Sequence, residues 1–329
     1  MSVSDDSRVI ILLCSHLVLT PDHDLTPFTT REWNPLARVL LTKGLRPADL
    51  VGLNTDELKN QLDSDDVDHD RIFRLLQRME SLSVELDRLS SLGISVVTRA
   101  DEDYPDRYRQ KLKDSSPAVL FYAGEKALLG QPGIAVVGSR HLDEIGQACA
   151  DFVGNACGIS GLVLYSGGAK GVDSISMGAA LSARGTAVAI LADSLEKAIR
   201  LPEYRSALGR GDLCLVTPYS PSAPFSVGSA MGRNKLIYTL SDYAIVVASD
   251  AEKGGTWAGA TEAMRAKWLP VFVLNHSAMA EGNKLLLQKG AIPFPHPFDQ
   301  PPLKLQKWLD SQVESANPSL PQPSQPSLF

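Results

Sequence analysis

Hydrophobic and polar residues alternate with helical periodicity through residues 30–92. Asn54, followed three residues later by Glu57, matches the capping-box pattern that begins a helix. The segment DRIFRLLQRMESLSVELDRLSSLG (70–93) repeats its leucines on one face and ends in glycine, which predicts one long amphipathic helix. Residues 1–92 are therefore predicted to form a small helical domain.

From Ile94 the pattern changes to short, continuous apolar runs, and after Gly133 these runs alternate with helical stretches. The runs are ISVVT, AVLFYAG, GIAVVGSR, GLVLYSGG, TAVAILAD, DLCLVTPY, DYAIVVAS and LPVFVLN. Apolar strands separated by helices indicate a mostly parallel sheet with helices on both faces. The predicted fold class is therefore α/β, and sheets of this kind bind ligands at the carboxyl ends of their strands.

The composition changes again after residue 290. Proline becomes frequent, LKLQKWLDSQV is the one segment with a helical pattern, and the residues after it are too polar and proline-rich to pack. The predicted domains are 1–92, which is helical, and 93–290, which is the α/β core. Residues 291–329 are predicted to form a short helix and a disordered, proline-rich tail.

The 329-residue chain has a net charge of −6, and 44% of its residues are hydrophobic. This composition is typical of a globular protein and argues against one that coats nucleic acid indiscriminately. Between Val163 and Leu240, however, eight lysines and arginines stand against five acidic residues. A basic surface in that part of the core is compatible with a polyanionic ligand.

The cysteines and the N-terminal apolar run bear on the cellular location of the protein. Four cysteines without metal-type spacing predict reduced thiols, and Cys149 and Cys157 share one helix face. The run VIILLCSHLVL is too short to cross a bilayer, and the residues before it lack the basic region of a signal peptide. We therefore expect a cytoplasmic protein with no membrane partner. The six histidines are scattered, so neither a metal site nor a conventional catalytic set is expected.

Gly138-Ser139-Arg140 ends the third apolar run. The glycine allows the backbone to approach a ligand closely, the Ser139 hydroxyl can bond a phosphate oxygen, and Arg140 supplies a bidentate fork. We therefore expect this turn to bind phosphate.

A second turn follows the run GLVLYSGG. Its residues of interest are Ser166, Gly167, Gly168, Lys170, Gly171 and Asp173. Backbone N–H groups at a glycine-rich helix start form an anion site, and the lysine adds a positive charge beside them. The aspartate is expected to cap or orient the loop, because a second anion next to phosphate is unfavourable. The spacing is neither that of a Walker P-loop nor that of GxGxxG.

Two further turns are expected at the same edge of the sheet. Arg233, Asn234 and Lys235 form a polar cluster before an apolar helix-to-strand run, and Gly255 and Thr256 lie at another strand-to-helix turn. Because the carboxyl ends of parallel strands meet at one edge, the four turns predict a positive surface larger than a single phosphate.

These turns, in this order, resemble the DprA/Smf family of DNA-processing proteins. That family carries a strand followed by GxR, then SGxAxGID, an RNR-type element before a strand, and an SGS-type turn. The approach DYPDRYRQKLKDSSPAVLFYAG is also similar, so the resemblance covers roughly residues 90–280. It implies an extended Rossmann-like, mostly parallel sheet, preceded by a helical domain of the sterile-alpha-motif-like or helix-hairpin type.

The resemblance also implies a function. Members of the family bind single-stranded DNA in recombination and natural transformation, hand the strand to the RecA recombinase, and dimerise through the Rossmann-like domain. No cofactor and no catalytic residue is implied, and bases would stack weakly on an aromatic such as Tyr219 or Phe225. Val172 in place of isoleucine and Lys235 in place of arginine keep the chemistry of the family pattern, whereas GGTWAGA differs from the usual SGSLxTA.

The chain ends in QPSLF, which contains Gln325, Leu328 and Phe329. This ending resembles the QxSLF-type peptide with which bacterial proteins bind the replicative sliding clamp. Such a peptide buries its leucine and phenylalanine in a preformed groove and works best on a flexible tail. The sliding clamp is therefore a further predicted partner.

Two other functions stay open at this point. SGGAKGVDSISMGAA and KGGTWAGATEAM resemble segments of the LONELY GUY-type nucleotide phosphoribohydrolases, in which Glu262 would be a catalytic carboxylate. A nucleotide-sensing, defence-associated module of the same fold is the other alternative, since a fold does not determine a function. The cluster around Arg233 and the helical N-terminal part favour the DNA binder, because a small nucleotide requires neither.

Overall fold

A computed structural model of the chain describes residues 3–18 and 25–316. These residues form two compact units. The first comprises the described residues up to Ala123 together with Thr217–Ala223, and the second comprises Gly124–Val216 and the described residues from Pro224 onward. The domain boundaries proposed from the sequence stay a prediction. Within the described ranges, no helix is both long and apolar enough to cross a membrane.

The first unit consists mainly of short helices. They are α1 (Asp5–Cys14), α2 (Thr30–Thr42), α3 (Thr55–Leu62), α4 (His69–Leu76), α5 (Met79–Ser91) and α6 (Asp106–Leu112), with turns of 3-10 helix at Pro47–Leu50 and Lys113–Ser115. Its strands β1 (Ile94–Thr98) and β2 (Val119–Gly124) pair antiparallel, with Ile94 opposite Ala123. The helical pattern of residues 30–92 is thus confirmed.

Two local predictions in this unit have different outcomes. The capping box is confirmed, since the Asn54 side chain accepts from the Glu57 backbone N–H and the Glu57 carboxylate accepts from the Asn54 N–H. The single long helix over 70–93 was wrong, because α4 and α5 are separate helices. The Arg78 guanidinium donates to the Leu75 carbonyl at 3.0 Å and to the Leu12 carbonyl at 2.7 Å. It thereby satisfies carbonyls at two helix ends, and the helical ladder stops there.

The second unit contains the parallel sheet. Its strands are β3 (Gly133–Val137), β4 (Val163–Ser166), β5 (Ala187–Ile190), β6 (Leu213–Thr217), β7 (Tyr243–Val246), β8 (Val271–Asn275) and β9 (Ile292–Pro295). Its helices are α7 (Glu144–Ser160), α8 (Val172–Ser182), α9 (Leu195–Ala198), α10 (Pro202–Arg210), α11 (Val227–Leu240), α12 (Gly254–Ala266), α13 (Glu281–Gln288) and α14 (Leu305–Ala316), with 3-10 turns at Lys126–Gly130 and Pro302–Lys304.

These strands lie in the order β6-β5-β4-β3-β7-β8-β9, and every neighbouring pair is parallel. Ile134 of β3 lies opposite Leu164 of β4 on one side and opposite Tyr243 of β7 on the other. The chain therefore builds outward from β3 to β6, returns to the other side of β3 with β7, and builds outward again. The predicted parallel sheet is confirmed, and the strand order reverses next to β3.

The last strand, β9, was not predicted. Its sequence, Ile-Pro-Phe-Pro, contains two prolines, and proline lacks the N–H that a central strand must donate. At the end of the strand order β9 needs only one ladder, and it pairs Ile292 with Phe272 and Pro295 with Asn275. Phe294 of this strand is buried. The prolines thus removed the strand signal from the sequence without preventing an edge strand from forming.

Small residues let α7 and α8 pack closely. A Cβ on Gly154 of α7 would lie 2.2 Å from the Ser176 carbonyl oxygen of α8, so the two backbones are in contact there. Cys149 and Cys157 lie on the buried side of α7, as their spacing predicts. Burial raises the pKa of each of these two thiols to about 12, which keeps them protonated.

Gly154→Ala is expected to lower the free energy of unfolding by about 1–3 kcal/mol, because the added methyl group would overlap the Ser176 backbone. Urea denaturation measures the change. Gly178→Ala in α8 is the matched control. A Cβ at Gly178 has no neighbour within 4 Å, so this variant should be neutral or up to about 1 kcal/mol more stable. Equal stability of the two variants would contradict the close approach of the helices.

Candidate functional site

A cleft of about 450 Å³ opens at the carboxyl ends of β3, β4 and β7. β3 and β7 flank the point at which the strand order reverses, and open α/β sheets bind ligands at such a point. The lining consists of Val137–His141, Ala169, Asp173, Phe225, Val227, Ala230, Met231, Arg233, Asn234, Ile237, Tyr238, Ala248, Asp250 and Lys253–Thr256. Three of the turns singled out in the sequence thus meet at one edge of the sheet, whereas Arg233 and Asn234 reach the cleft from inside the helix α11.

The structure divides the predicted site residues into two groups. Those that line the cleft are Gly138, Ser139, Arg140, Asp173, Arg233, Asn234, Gly255 and Thr256. Those outside its lining are Ser166, Gly167, Gly168, Lys170, Gly171 and Lys235. A role of either group in binding stays a prediction.

The backbone of Ser139 holds the neighbouring turns together. Its N–H donates to the Ala248 carbonyl after β7 at 2.9 Å, and its carbonyl accepts from the Val172 N–H at the start of α8 at 3.3 Å. Gly138 lies in the same closely packed region, since a Cβ there would lie 2.5 Å from Val172 Cγ2 and 3.1 Å from the Ala248 nitrogen. The glycine is therefore needed for the contact between loops.

The glycine turn after β4 is organised around Asp173. This buried carboxylate accepts from the Gly167 N–H at 3.1 Å and from the Ala169 N–H at 3.3 Å, which is the orienting role expected of it. The Ser166 hydroxyl is also directed inward and donates to the Val136 carbonyl at 2.7 Å. Two of the backbone amides that the sequence assigns to a phosphate are thus already bonded within the protein.

Arg233 lies beneath this turn. Its side chain is 6% exposed and donates to the Ile190 carbonyl, and a Cβ on Gly167 would overlap its guanidinium at 1.9 Å. Burial raises the pKa of Asp173, while the positive charge of Arg233 and the bonds from the turn oppose that rise. Sequence reasoning expected Arg233 to face the ligand, whereas the structure places most of it under the loop.

The turn after β7 is fixed to α11 by Asn234. The Asn234 amide donates to the Gly255 carbonyl at 2.9 Å, and a Cβ on Gly255 would lie 2.7 Å from that amide nitrogen. α12 begins at Gly254, and no side chain caps its first N–H groups. Lys235 is half-exposed and Lys170 is exposed, and both lie outside the lining of the cleft.

The mouth of the cleft is apolar and aromatic on the α11 side. Phe225, Val227 and Met231 are 50%, 73% and 41% exposed. The guanidinium carbon of Arg140 lies 5.5 Å from the centroid of the Phe225 ring. Phe225 was predicted as a residue on which bases would stack, whereas Val227 and Met231 were not predicted as site residues. The apolar residues in FSVGSAMG, ahead of the polar cluster, were the available signal.

The carboxylate required by the hydrolase alternative lies elsewhere. Glu262 is half-exposed in the third turn of α12 and does not line the cleft. The acidic residues that do line it are Asp173, which is bonded to the glycine turn, and Asp250. Across the described residues, no group of three or more histidine, cysteine or acidic side chains is arranged to hold a metal ion.

A family model for DNA recombination-mediator protein A matches residues 95–300, which is more than half of the chain. The chain belongs to this family. The match spans all four turns and the strands that position them. The resemblance to DprA/Smf proteins seen in the sequence is therefore confirmed.

Individual relatives are DprA and Smf proteins. The chain is 27% identical to DNA processing protein DprA of Bacillus subtilis over 205 residues, which is 60% of this chain and 67% of the relative. It is 31% identical to DprA of Streptococcus pneumoniae over 188 residues, which is 54% of this chain and 63% of the relative. Protein Smf of Synechocystis is 27% identical over 164 residues, covering 48% of this chain and 40% of the relative.

Solved structures of family members share the fold. The X-ray structure of DNA processing protein A from S. pneumoniae superposes with a TM-score of 0.67 at 20% identity, covering 89% of this chain and 95% of that one. A structure from Helicobacter pylori, described by its single-stranded DNA binding mode, superposes with a TM-score of 0.53 at 24% identity, covering 68% and 96%. The predicted Rossmann-like fold is thereby confirmed.

Gln325, Leu328 and Phe329 lie outside the described residues.

Arg233→Met is expected to lower the free energy of unfolding by about 3 kcal/mol at about pH 7, because the buried Asp173 carboxylate loses its compensating charge. The pKa of Asp173 in the folded variant then lies further above its unfolded value. The folded state therefore takes up a proton as the pH falls, and the deficit should shrink towards about pH 5.

Urea denaturation at both pH values measures this deficit. Arg265→Met, which removes an exposed arginine of α12, is the control and should change stability by less than about 0.5 kcal/mol. A deficit of the same size at both pH values would mean that Arg233 acts through packing and its bond to Ile190 alone.

Proposed function

We propose that the chain binds single-stranded DNA in the cleft and acts as a DNA-processing protein without catalytic chemistry of its own. The observation that carries this proposal is the pairing of Arg140 with Phe225, both exposed and 5.5 Å apart at the mouth of the cleft. The arginine can bond a phosphate while the ring offers its face to a base. Base faces are open in a single strand and covered in a duplex, so the pair favours the single strand.

The apolar wall of the cleft supports the same ligand. Val227 and Met231 continue the surface of Phe225 along α11, and exposed apolar patches of this kind commonly mark a binding site. An unpaired base can cover this wall and stack on the ring without sequence-specific hydrogen bonds. Weak base preference is the expected consequence.

The phosphates would be bound directly beside this apolar wall. Arg140 supplies a charge-assisted donor there, and the uncapped amino end of α12 at Gly254–Thr256 supplies backbone N–H groups. The Ser139 hydroxyl also lines the cleft, where it accepts from the His141 N–H at 3.1 Å. We infer that the β3 and β7 turns, more than the amides of the glycine turn, contact the backbone of the strand.

We further propose the partners that the family resemblance implies. The strand would be handed to a RecA-type recombinase, the protein would act as a homodimer in the cytoplasm, and Gln325, Leu328 and Phe329 would dock on the sliding clamp. Family membership supports the first of these proposals. The sequence of the C-terminal peptide supports the last. Deleting that peptide should abolish clamp binding and leave DNA binding unchanged.

The nucleotide hydrolase alternative has less support. Cleavage of a nucleotide requires a carboxylate near the reacting bond, and Glu262 lies outside the lining of the cleft. A mononucleotide would also leave most of the apolar wall of α11 uncovered. We therefore propose the binding function alone.

Arg140→Ala is expected to weaken binding of a labelled single-stranded oligonucleotide about tenfold, because a charge-assisted phosphate contact is lost. The slope of log affinity against log salt should become shallower by about 0.7, the value for one phosphate contact on a single strand. Phe225→Ala is expected to weaken binding by about 1–3 kcal/mol with an unchanged slope, since stacking releases no counterions. Fluorescence anisotropy across a salt titration measures both effects.

Arg265→Ala is the matched control, since this exposed arginine of α12 lies about 14 Å along the helix from Thr256, the nearest residue of α12 that lines the cleft. It should bind as the wild type does. Arg140→Ala/Lys170→Ala should bind more weakly than Arg140→Ala, and neither duplex DNA nor a mononucleotide should displace the strand readily. If the mononucleotide displaced the strand readily and was itself hydrolysed, the binding proposal would be wrong and the nucleotide hydrolase alternative would be supported.

A further inference from the structure

Five basic side chains lie along the carboxyl edge of the sheet, starting at the mouth of the cleft and continuing beyond it. They are Arg140, Lys170, Lys197, Arg200 and Arg205, which follow β3, β4 and β5 and are all exposed. We call this set the basic strip. Counting only residues within 3–18 and 25–316, none of the five takes part in an ion pair. Their charges are therefore available to an external anion.

The cleft and the basic strip are joined by the glycine turn after β4. A Cβ on Gly171 would lie 2.6 Å from Arg140 Cα, so one side of the turn touches the mouth of the cleft. A Cβ on Gly168 would lie 3.4 Å from the Tyr204 hydroxyl, so the other side of the turn touches α10. Lys170 is between these two contacts in the chain. A ligand leaving the cleft over this turn reaches α10 directly.

The amino end of α10 presents the far part of the basic strip. Arg200 comes two residues before the helix, and Arg205 follows Tyr204 in its first turns. Leu201, between the two arginines in sequence, is 40% exposed. Two long cationic side chains beside an exposed apolar residue offer contacts for both the phosphates and the bases of a strand.

Acidic residues offset the positive charge on the segment after β5, which carries Lys197, Arg200 and Arg205. Asp193, Glu196 and Glu203 lie on the same segment. Burial and the nearby charges of Glu203, Asp173 and Asp193 raise the pKa of Tyr204 to about 12. The three carboxylates of the segment equal its three cations in number, so the excess positive charge of the basic strip comes from Arg140 and Lys170.

We propose that a bound single strand leaves the cleft over the glycine turn and continues along the basic strip to Arg200 and Arg205. This inference rests on the proposed function and extends it, since it gives the strand a direction along the sheet edge and a footprint longer than the cleft. The ligand recognised by the strip is the sugar-phosphate backbone of a flexible strand. A single strand can bend across the turn, whereas a duplex is too stiff to follow the same path.

The test is Arg200→Gln/Arg205→Gln, compared with the wild type on labelled oligo-dT strands of about 4 to about 20 nucleotides. Wild-type affinity should rise with length as the strand reaches the strip. The variant should match the wild type on the shortest strands and bind the longest ones about tenfold more weakly. On long strands its salt slope should be shallower by about 1.4, which corresponds to two phosphate contacts.

Arg265→Gln/Lys307→Gln is the matched control, because it removes the same charge from exposed positions on α12 and α14. It should bind strands of every length as the wild type does, and an equal loss in this control would overturn the proposal in favour of a general charge effect. The same affinity and salt slope for Arg200→Gln/Arg205→Gln and the wild type at all lengths would also overturn it. In that case, weaker strand binding by Arg140→Ala than by the wild type would still support the cleft as the DNA site. A wild type that binds no strand would overturn the proposed function itself.

Discussion

Everything at the cleft depends on the two backbone hydrogen bonds of Ser139. One joins the end of β3 to the turn after β7, and the other joins it to the start of α8. These bonds form only because Gly138 and Gly171 have no side chains, which leaves the loop backbones close enough to touch. Residues distant in sequence thereby share one rigid wall, and Arg140 is held at its mouth. A wall made of backbone needs little rearrangement when a ligand arrives, so little of the binding energy is lost in ordering it.

The glycine turn after β4 is held by a carboxylate of the protein itself. Asp173 accepts from two amides of the turn and faces the Arg233 guanidinium beneath it. The turn is thus preorganised around an internal carboxylate. A ligand phosphate would have to compete with that carboxylate for the same N–H groups, and the protein is already hydrogen-bonded there. The turn then serves best as a rigid bridge between the cleft and α10, with Lys170 exposed on it.

Much of this architecture could be predicted from the sequence, because it rests on patterns that are local. The apolar runs gave eight strands, and parallel strands place their following turns at one edge. The failures came where a distant residue overrides the local pattern. Arg78, which lies between α4 and α5, bonds the Leu12 carbonyl, far away in sequence, and β9 contains prolines that its edge position tolerates. The placement of Arg233 under the glycine turn depends on Gly167 and Ile190, contacts that no spacing rule contains.

The strand order has a consequence for how the protein is made. β3 and β7 lie side by side, yet the bond between Gly133 and the Asp242 carboxylate spans 109 residues of chain. A polypeptide leaving the ribosome can pair β3 with β4, β4 with β5 and β5 with β6 as they emerge, but the other edge of β3 stays open until β7 has been synthesised. The nascent chain therefore carries half a sheet, whose strand β3 is paired on one side only, and no ligand cleft. Translation must reach α12 before the protein can hold anything at that site.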